Sequence, residues 1–152
     1  MASSVLHVVG EVVGKPRPRF TSHGGRVRTF TPKKGETFEE LVRNSYMAQC
    51  GCMHKGAAKV EIAYRRVLPK SRPKKVDSEI DLFKPDVDNV AKAVLDALNG
   101  VAFDDDKDVV SLKVEKLPRI RMDQDELYVI VSDADDEEME EEWQRFTNST
   151  RR

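Results

Sequence analysis

Cysteine is nearly absent from this chain of 152 residues. Only Cys50 and Cys52 occur, one residue apart, so no disulfide framework holds the fold and a reducing cytoplasm is the expected setting. No apolar run approaches the roughly 20 residues that cross a bilayer, so no membrane partner is expected. The opening MASSVLHVVGEVV has no positively charged n-region and no clear cleavage site, so no secretory signal is expected. There is no Gly-rich phosphate loop, which counts against a nucleotide hydrolase, and no internal repeat. What is there is 39% apolar and 35% charged, enough for one core in a single domain.

The net charge of −1 hides a strong asymmetry. Residues 1–76 carry 16 Lys and Arg against 5 Asp and Glu; residues 77–132 carry 7 against 14; residues 133–152 carry 3 against 8. A basic first half invites a polyanion such as nucleic acid. The acidic second half repels that polyanion unless metal cations sit between them. The combination points to a metal-dependent enzyme acting on nucleic acid.

Valine-rich residues 5–13 predict a strand with Gly10 as a bulge. Pro16 and Pro18 hold the following stretch extended, and Gly24–Gly25 signals a hairpin or loop within 21–32. Thr37 and Glu40 form a T-x-x-E capping box, which predicts a first helix from about Thr37 that stops at Gly51. Residues 58–68 alternate, with Val60, Ile62 and Tyr64 on one face. A long, Lys-rich loop bounded by prolines fills 69–85. A second helix is expected from Val87 to Asn99, its core stripe Val87, Val90, Val94 and Leu98, with Gly100 ending it. Strands follow at 108–117 and 127–131. The order β-(β)-α-β-α-β-β predicts an α+β domain over residues 1–132, a mixed sheet with two main helices packed on it. Residues 133–152 are expected to be an acidic tail, with Met139, Trp143 and Phe146 spaced for a short amphipathic helix.

The stretch KPDVDNVAKAVLDALNGVAFDDDKDVV, residues 84–110, carries seven aspartates. Asp88, Lys92 and Asp96 fall at steps of four and share one face of the second helix. Asp86 precedes the helix, and Asp105, Asp106 and Asp108 follow it in a turn. Hard cations such as Mg²⁺ take oxygen ligands and need only a few carboxylates. A lysine one turn from a ligand aspartate would reach a phosphate and offset developing charge. The plainer alternatives are an N-cap at Asp86 or Asp88, an exposed Asp88–Lys92 pair and a solvated DDDKD turn. Asp104, Asp106, Asp108 and Glu115 imitate EF-hand spacing, but Val109 stands where that loop needs glycine. Cys50, Cys52 and His54 lack a fourth zinc ligand nearby. Arg17, Arg19, Arg26, Arg28, Lys33 and Lys34 form one basic cluster, and Lys70, Arg72, Lys74 and Lys75 another; both suit phosphate contacts along DNA. Phe20 and Phe30 are candidates for stacking on an opened base pair.

The 84–110 stretch closely resembles the signature of the RusA family of Holliday junction resolvases: Pro-Asp-x-Asp-Asn, a lysine four residues after the second aspartate, Asp-Ala-Leu, then Asp-Asp-x-x-Val-Val. GKPRPRFTSHGGRVRTFTPKKGETFEELV is similar to the amino-terminal segment of that family, and the resemblance spans about residues 5–131. It implies a homodimeric, Mg²⁺-dependent endonuclease, with Mn²⁺ as a substitute ion and no organic cofactor. Such an enzyme cuts two opposed strands of four-way junction DNA, in the cytoplasm of a bacterial or phage-infected cell. The essential carboxylates of the family fall on Asp86, Asp88 and Asp106 and its essential lysine on Lys92. Asp105 is a further ligand candidate, and Asp96 matches another acidic position. The alternatives are a non-catalytic junction-binding protein and a Mg²⁺-dependent nucleotide hydrolase.

Overall fold

A computed structural model describes residues 3–15, 19–23, 26–30 and 33–151; for 19–23, 26–30 and 33 it describes the backbone alone. Four strands build the main sheet: β1 (Ser3–Val9), β4 (Ala58–Arg65), β6 (Val109–Lys116) and β8 (Glu126–Asp133), in the order β1-β8-β4-β6. β8 pairs antiparallel with both β1 and β4, whereas β4 and β6 are parallel. This is the mixed sheet of an α+β domain. β2 (Arg19–His23) and β3 (Arg26–Phe30) form a separate antiparallel ribbon, and β5 (Ser78–Glu79) pairs with β7 (Arg119–Ile120). The ribbon β5–β7 lies partly within the segment expected to be one open loop. Its two-residue strands are too short to leave a period in the sequence.

Two helices cover one face of the sheet: α1 (Lys33–Gln49) and α2 (Val87–Leu98). Alternation in the strands puts Leu6, Val60, Ile62, Tyr64, Leu127 and Val129 beneath them, all buried. α1 supplies Phe38, Val42 and Tyr46 from above, and α2 supplies Val90, Val94 and Leu98. α1 begins a turn before Thr37, so the capping-box expectation misplaced its start. Contacts outside the helix support the extra turn: Lys34 pairs with Glu11 at 2.6 Å. Glu36 also places negative charge in the first turn, where the helix dipole favours it. β1 stops at Val9, and Gly10 bends the chain rather than bulging the strand. α2 ends as expected: Gly100 has φ +82, a conformation that glycine adopts without a Cβ clash. Val87, expected in the core stripe, is 41% exposed; it is the first helical residue, before α2 reaches its cover over the sheet.

The other face of the sheet is more open, and Val5 and Tyr128 there are exposed. A third helix, α3 (Asp136–Thr150), follows β8 and adds to the two expected to pack on the sheet. Asp135 caps it by accepting the Glu138 N–H at 2.7 Å, and an ion pair joins Lys59 to Glu138. None of its residues is buried, and Trp143 and Phe146 are both 62% exposed. The amphipathic tail is therefore a helix tied to β4 through Lys59 and Glu138, with its aromatic side chains left exposed. Among the described residues no helix is long and apolar enough to cross a membrane.

Leu127 is fully buried at the centre of the sheet. Leu127→Ala is expected to lower unfolding stability by about 2–5 kcal/mol, read from urea denaturation followed by circular dichroism. A loss under about 1 kcal/mol would mean that the core under α1 and α2 is not packed as described.

Candidate active site

The parallel pairing of β4 and β6 decides where the carboxylates go. A parallel connection must carry the chain back along the sheet, and α2 does so. Its start is held at the end of β4, where Tyr64 Oη donates to Pro85 O at 3.0 Å. Its finish lies at the beginning of β4, where His54 N donates to Ala102 O at 2.8 Å. β6 then starts beside Ala58. Asp86 and Asp88 therefore sit at one end of α2, and Asp105 and Asp106 beside the other, near Asp96. At 1.5 Å per residue, Asp88 and Asp96 are separated by ~12 Å of helix. The expected cup of three carboxylates is not brought together within one chain. Among the described residues no group of three or more acidic, histidine or cysteine side chains is placed to hold a metal ion.

Each half is nevertheless built of available oxygen donors. Asp86 occupies the N-cap position of α2 but its carboxylate makes no capping hydrogen bond. Asp88 and Lys92 are exposed, and no ion pair joins them among the described residues. The capping and ion-pair alternatives thus lose their geometric basis. Segment 11–15 passes against this end of α2: Lys15 N donates to Asn89 O at 2.9 Å. A Cβ on Gly14 would lie 2.9 Å from Asn89 Cβ, so a side chain there is excluded by close approach. Burial, and then the charges of Asp81, Asp86 and Asp88, push the Tyr64 phenol well above its ordinary pKa, against an opposing effect of Arg66. It therefore remains a proton donor.

At the other end, Asp105 caps the short 3₁₀ turn Asp106–Asp108 and accepts the Lys107 N–H at 3.3 Å. A hydrogen bond shared with Asp106 lowers the Asp105 carboxyl and raises that of Asp106; burial and the charges of Asp105 and Asp96 raise Asp106 further. Asp104 turns away to Lys55 at 3.1 Å. Asp96 pairs with Lys15 at 2.9 Å, and Lys15 also meets Glu39 at 2.6 Å. Burial lowers the Lys15 pKa, but Glu39 and Asp96 outweigh it and the net shift is upward. Two acids and a lysine thus brace α1 against α2 beside Asp105 and Asp106.

Of the basic candidates, Arg17 lies outside the described residues. Arg19, Arg26 and Arg28 lie on the β2–β3 ribbon, where Thr21 is opposite Arg28 and His23 opposite Arg26. The side chains of these arginines, of Lys33 and of Phe20 and Phe30 are outside the described set. Lys70, Lys74 and Lys75 are exposed and take no ion pair among the described residues. Arg72 differs: its guanidinium is occupied by Glu79, with Nε to Oε1 at 3.1 Å and Nη2 to Oε2 at 3.1 Å. Lys34 is engaged by Glu11. His54 is a core residue, its ring nitrogens 2.9 Å from Ser4 Oγ and 3.0 Å from Asp133 Oδ1, so neither is left for zinc. Inspection of the sequence missed Tyr64, Arg66, Asp81 and Lys116, which hold the chain entering α2. Their signal, isolated polar residues in or beside strands, is not distinctive.

The fold is thus a mixed sheet crossed by an acid-faced helix, with exposed aspartates at both of its ends. Residues 10–130 match the family described as Endodeoxyribonuclease RusA, and the chain belongs to that family of Holliday junction endonucleases. The match ends before α3. The chain is also similar to the uncharacterized protein YqaN of Bacillus subtilis (strain 168), 35% identical over 133 residues, covering 76% of this chain and 90% of that one.

Glu79 is held by Arg119 as well as Arg72, and the hydrogen bond from Arg119, then that from Arg72, keep its carboxyl below the usual range. A lowered folded value means that this tie is at full strength above the ordinary carboxylate pKa and is lost as pH falls through the folded one. Glu79→Gln is expected to speed amide exchange across residues 69–79 at neutral pH and to remove the loosening of this loop in acid. Unchanged exchange by mass spectrometry would show that the loop is held by other contacts.

Proposed function

We propose that this protein is a Mg²⁺-dependent endonuclease that resolves four-way DNA junctions as a homodimer, with Asp86, Asp88 and Asp106 as metal ligands, Asp105 in support and Lys92 at the scissile phosphate. The observation that carries this reading is the exposed, unengaged pair Asp86 and Asp88 with Lys92 one turn further along the same helix, within a chain of the RusA family. Exposed carboxylates that neither cap nor pair are hard oxygen donors of the kind that Mg²⁺ takes. When bound, the ion supplies an activated water and a counter-charge for the phosphate. Lys92 places a positive charge where negative charge grows on the phosphoryl oxygens, and the 3′ oxygen leaves to give a 5′ phosphate.

The separation of the acids along α2 favours a site completed by a second copy. If two α2 helices lie antiparallel across a two-fold axis, Asp86 and Asp88 of one subunit approach Asp106 of the other, twice. The flank beside α2 suits such an interface. β6 is an edge strand, and Val110, Leu112 and Val87 expose apolar side chains there. A two-fold dimer with two sites also matches a substrate that needs paired cuts. Lys70, Lys74, Lys75 and the basic β2–β3 ribbon would contact the junction arms, giving salt-sensitive affinity. An enzyme acting on such junctions would work in the cytoplasm of a bacterial or phage-infected cell.

Two experiments test this. Asp88→Asn is expected to slow cleavage of a labelled four-way junction in Mg²⁺ by at least about 10²-fold while leaving junction binding in gel shifts intact. Normal cutting by that variant sinks the assignment. Mixing Asp88→Asn with Asp106→Asn subunits after co-refolding is expected to restore nicking of one strand, because one of the two shared sites is then intact. Continued inactivity of the mixture would mean that each subunit carries its own site.

A further inference from the structure

We propose that Tyr64, Arg66 and Lys116 form a clamp on three consecutive carbonyls that positions the Asp86–Asp88 carboxylates for the divalent ion. This rests on the metal-nuclease reading above and extends it to residues outside the proposed ligand set. The carbonyl of Phe83 accepts from Lys116 Nζ at 2.6 Å, that of Lys84 from Arg66, and that of Pro85 from Tyr64 Oη at 3.0 Å. The next residue is Asp86, whose own carbonyl receives the first bond of α2 from Val90 N at 3.1 Å. The clamp therefore ends where the ligand pair begins.

Its donors are rooted in the two parallel strands. Tyr64 and Lys116 are ladder partners at the ends of β4 and β6, and Leu117 N donates to Tyr64 O at 2.8 Å. Arg66 is held in turn by Asp81, whose side chain is 0% exposed; Nε lies 2.9 Å and Nη2 3.5 Å from its two oxygens. Asp81 also accepts the Phe83 N–H at 3.2 Å. The Arg119 guanidinium lies 4.3 Å from the centre of the Phe83 ring. A connection that merely had to reach α2 would not need this. Phe83 and Lys84 are exposed, and water could satisfy their carbonyls. Ordering two long cationic side chains onto exposed carbonyls costs rotamer entropy, which the charge-assisted hydrogen bonds offset, and it fixes the backbone next to Asp86. Metal sites demand placement within about 0.5 Å, supplied by supporting hydrogen bonds behind the ligands.

The test uses the full-length chain, with Mn²⁺ as the probe. Tyr64→Phe removes one oxygen atom, and Lys116→Met keeps the stem of a half-buried side chain; neither touches Asp86, Asp88 or Lys92. Bound Mn²⁺ is counted by electron paramagnetic resonance, and cleavage is followed against Mg²⁺ concentration. Thermal midpoints and metal-free junction binding report on folding. Each variant is expected to weaken Mn²⁺ binding about 10-fold, and to raise the Mg²⁺ needed for half-maximal cleavage similarly. The rate at saturating Mg²⁺ should change far less. Lower thermal midpoints with unchanged Mn²⁺ affinity in both variants would make the three residues structural only and overturn the proposal. So would a wild-type chain that binds no Mn²⁺. Should the wild type bind Mn²⁺, the variants weaken it and no junction be cut, the clamp stands and the nuclease reading falls.

Discussion

The parallel pairing of β4 with β6 is the constraint on which the rest of the molecule depends. Two neighbouring strands that run the same way cannot be joined by a tight turn. The chain must return along the full length of the sheet, and α2 is that return. Its buried side, Val90, Val94 and Leu98, closes the core over β4. Its outer side is left for Asp88, Lys92 and Asp96. The same connection that builds the core therefore spreads the acidic residues along one exposed helix, with Asp86 before it and Asp105 and Asp106 after it.

That spread has an electrostatic benefit. Carboxylates crowded into one cup repel each other until a cation arrives. Separated by a helix length, they impose little mutual repulsion on the free chain. The local pair Asp105–Asp106 shows the cost of crowding: one carboxyl is lowered and the other raised. Lys15 offsets some of the same charge by bridging Asp96 and Glu39. A site assembled only when two subunits meet would couple metal loading to dimer formation, and so to a substrate with paired cleavage points.

Charge is also distributed by element. The ribbon β2–β3 and the exposed Lys70, Lys74 and Lys75 are basic, whereas α3 gathers acids in its first turn. α3 lies beyond the region matched to the family and buries none of its residues. Within the loop 69–79, Arg72 and Arg119 share Glu79, and Arg121 donates to Pro73 O at 2.9 Å. Arg72 thus joins arginines from outside the loop in holding it in shape, and Lys70, Lys74 and Lys75 are left exposed.

Sequence alone determined the pieces whose physics is local. The alternation of Val60, Ile62 and Tyr64, the stripe Val90, Val94 and Leu98, and the Gly100 stop each follow from the short-range geometry of one strand or helix. The motif Asp86-x-Asp88-Asn89 with Lys92 was legible because its spacing is itself the signal. Tertiary structure decided the rest. Strand direction is not encoded in alternation, so nothing in residues 108–117 revealed that β6 runs parallel to β4 and starts at the far end of α2. The separation of Asp106 from Asp86 and Asp88 follows from that direction alone. The turn of α1 before its apparent capping box makes a contact far along the chain, the Lys34–Glu11 ion pair, which no local pattern announces. The grip of Tyr64, Arg66 and Lys116 on the backbone before Asp86 joins residues up to 33 positions apart through carbonyls, which are the same in every residue and leave no trace in the sequence.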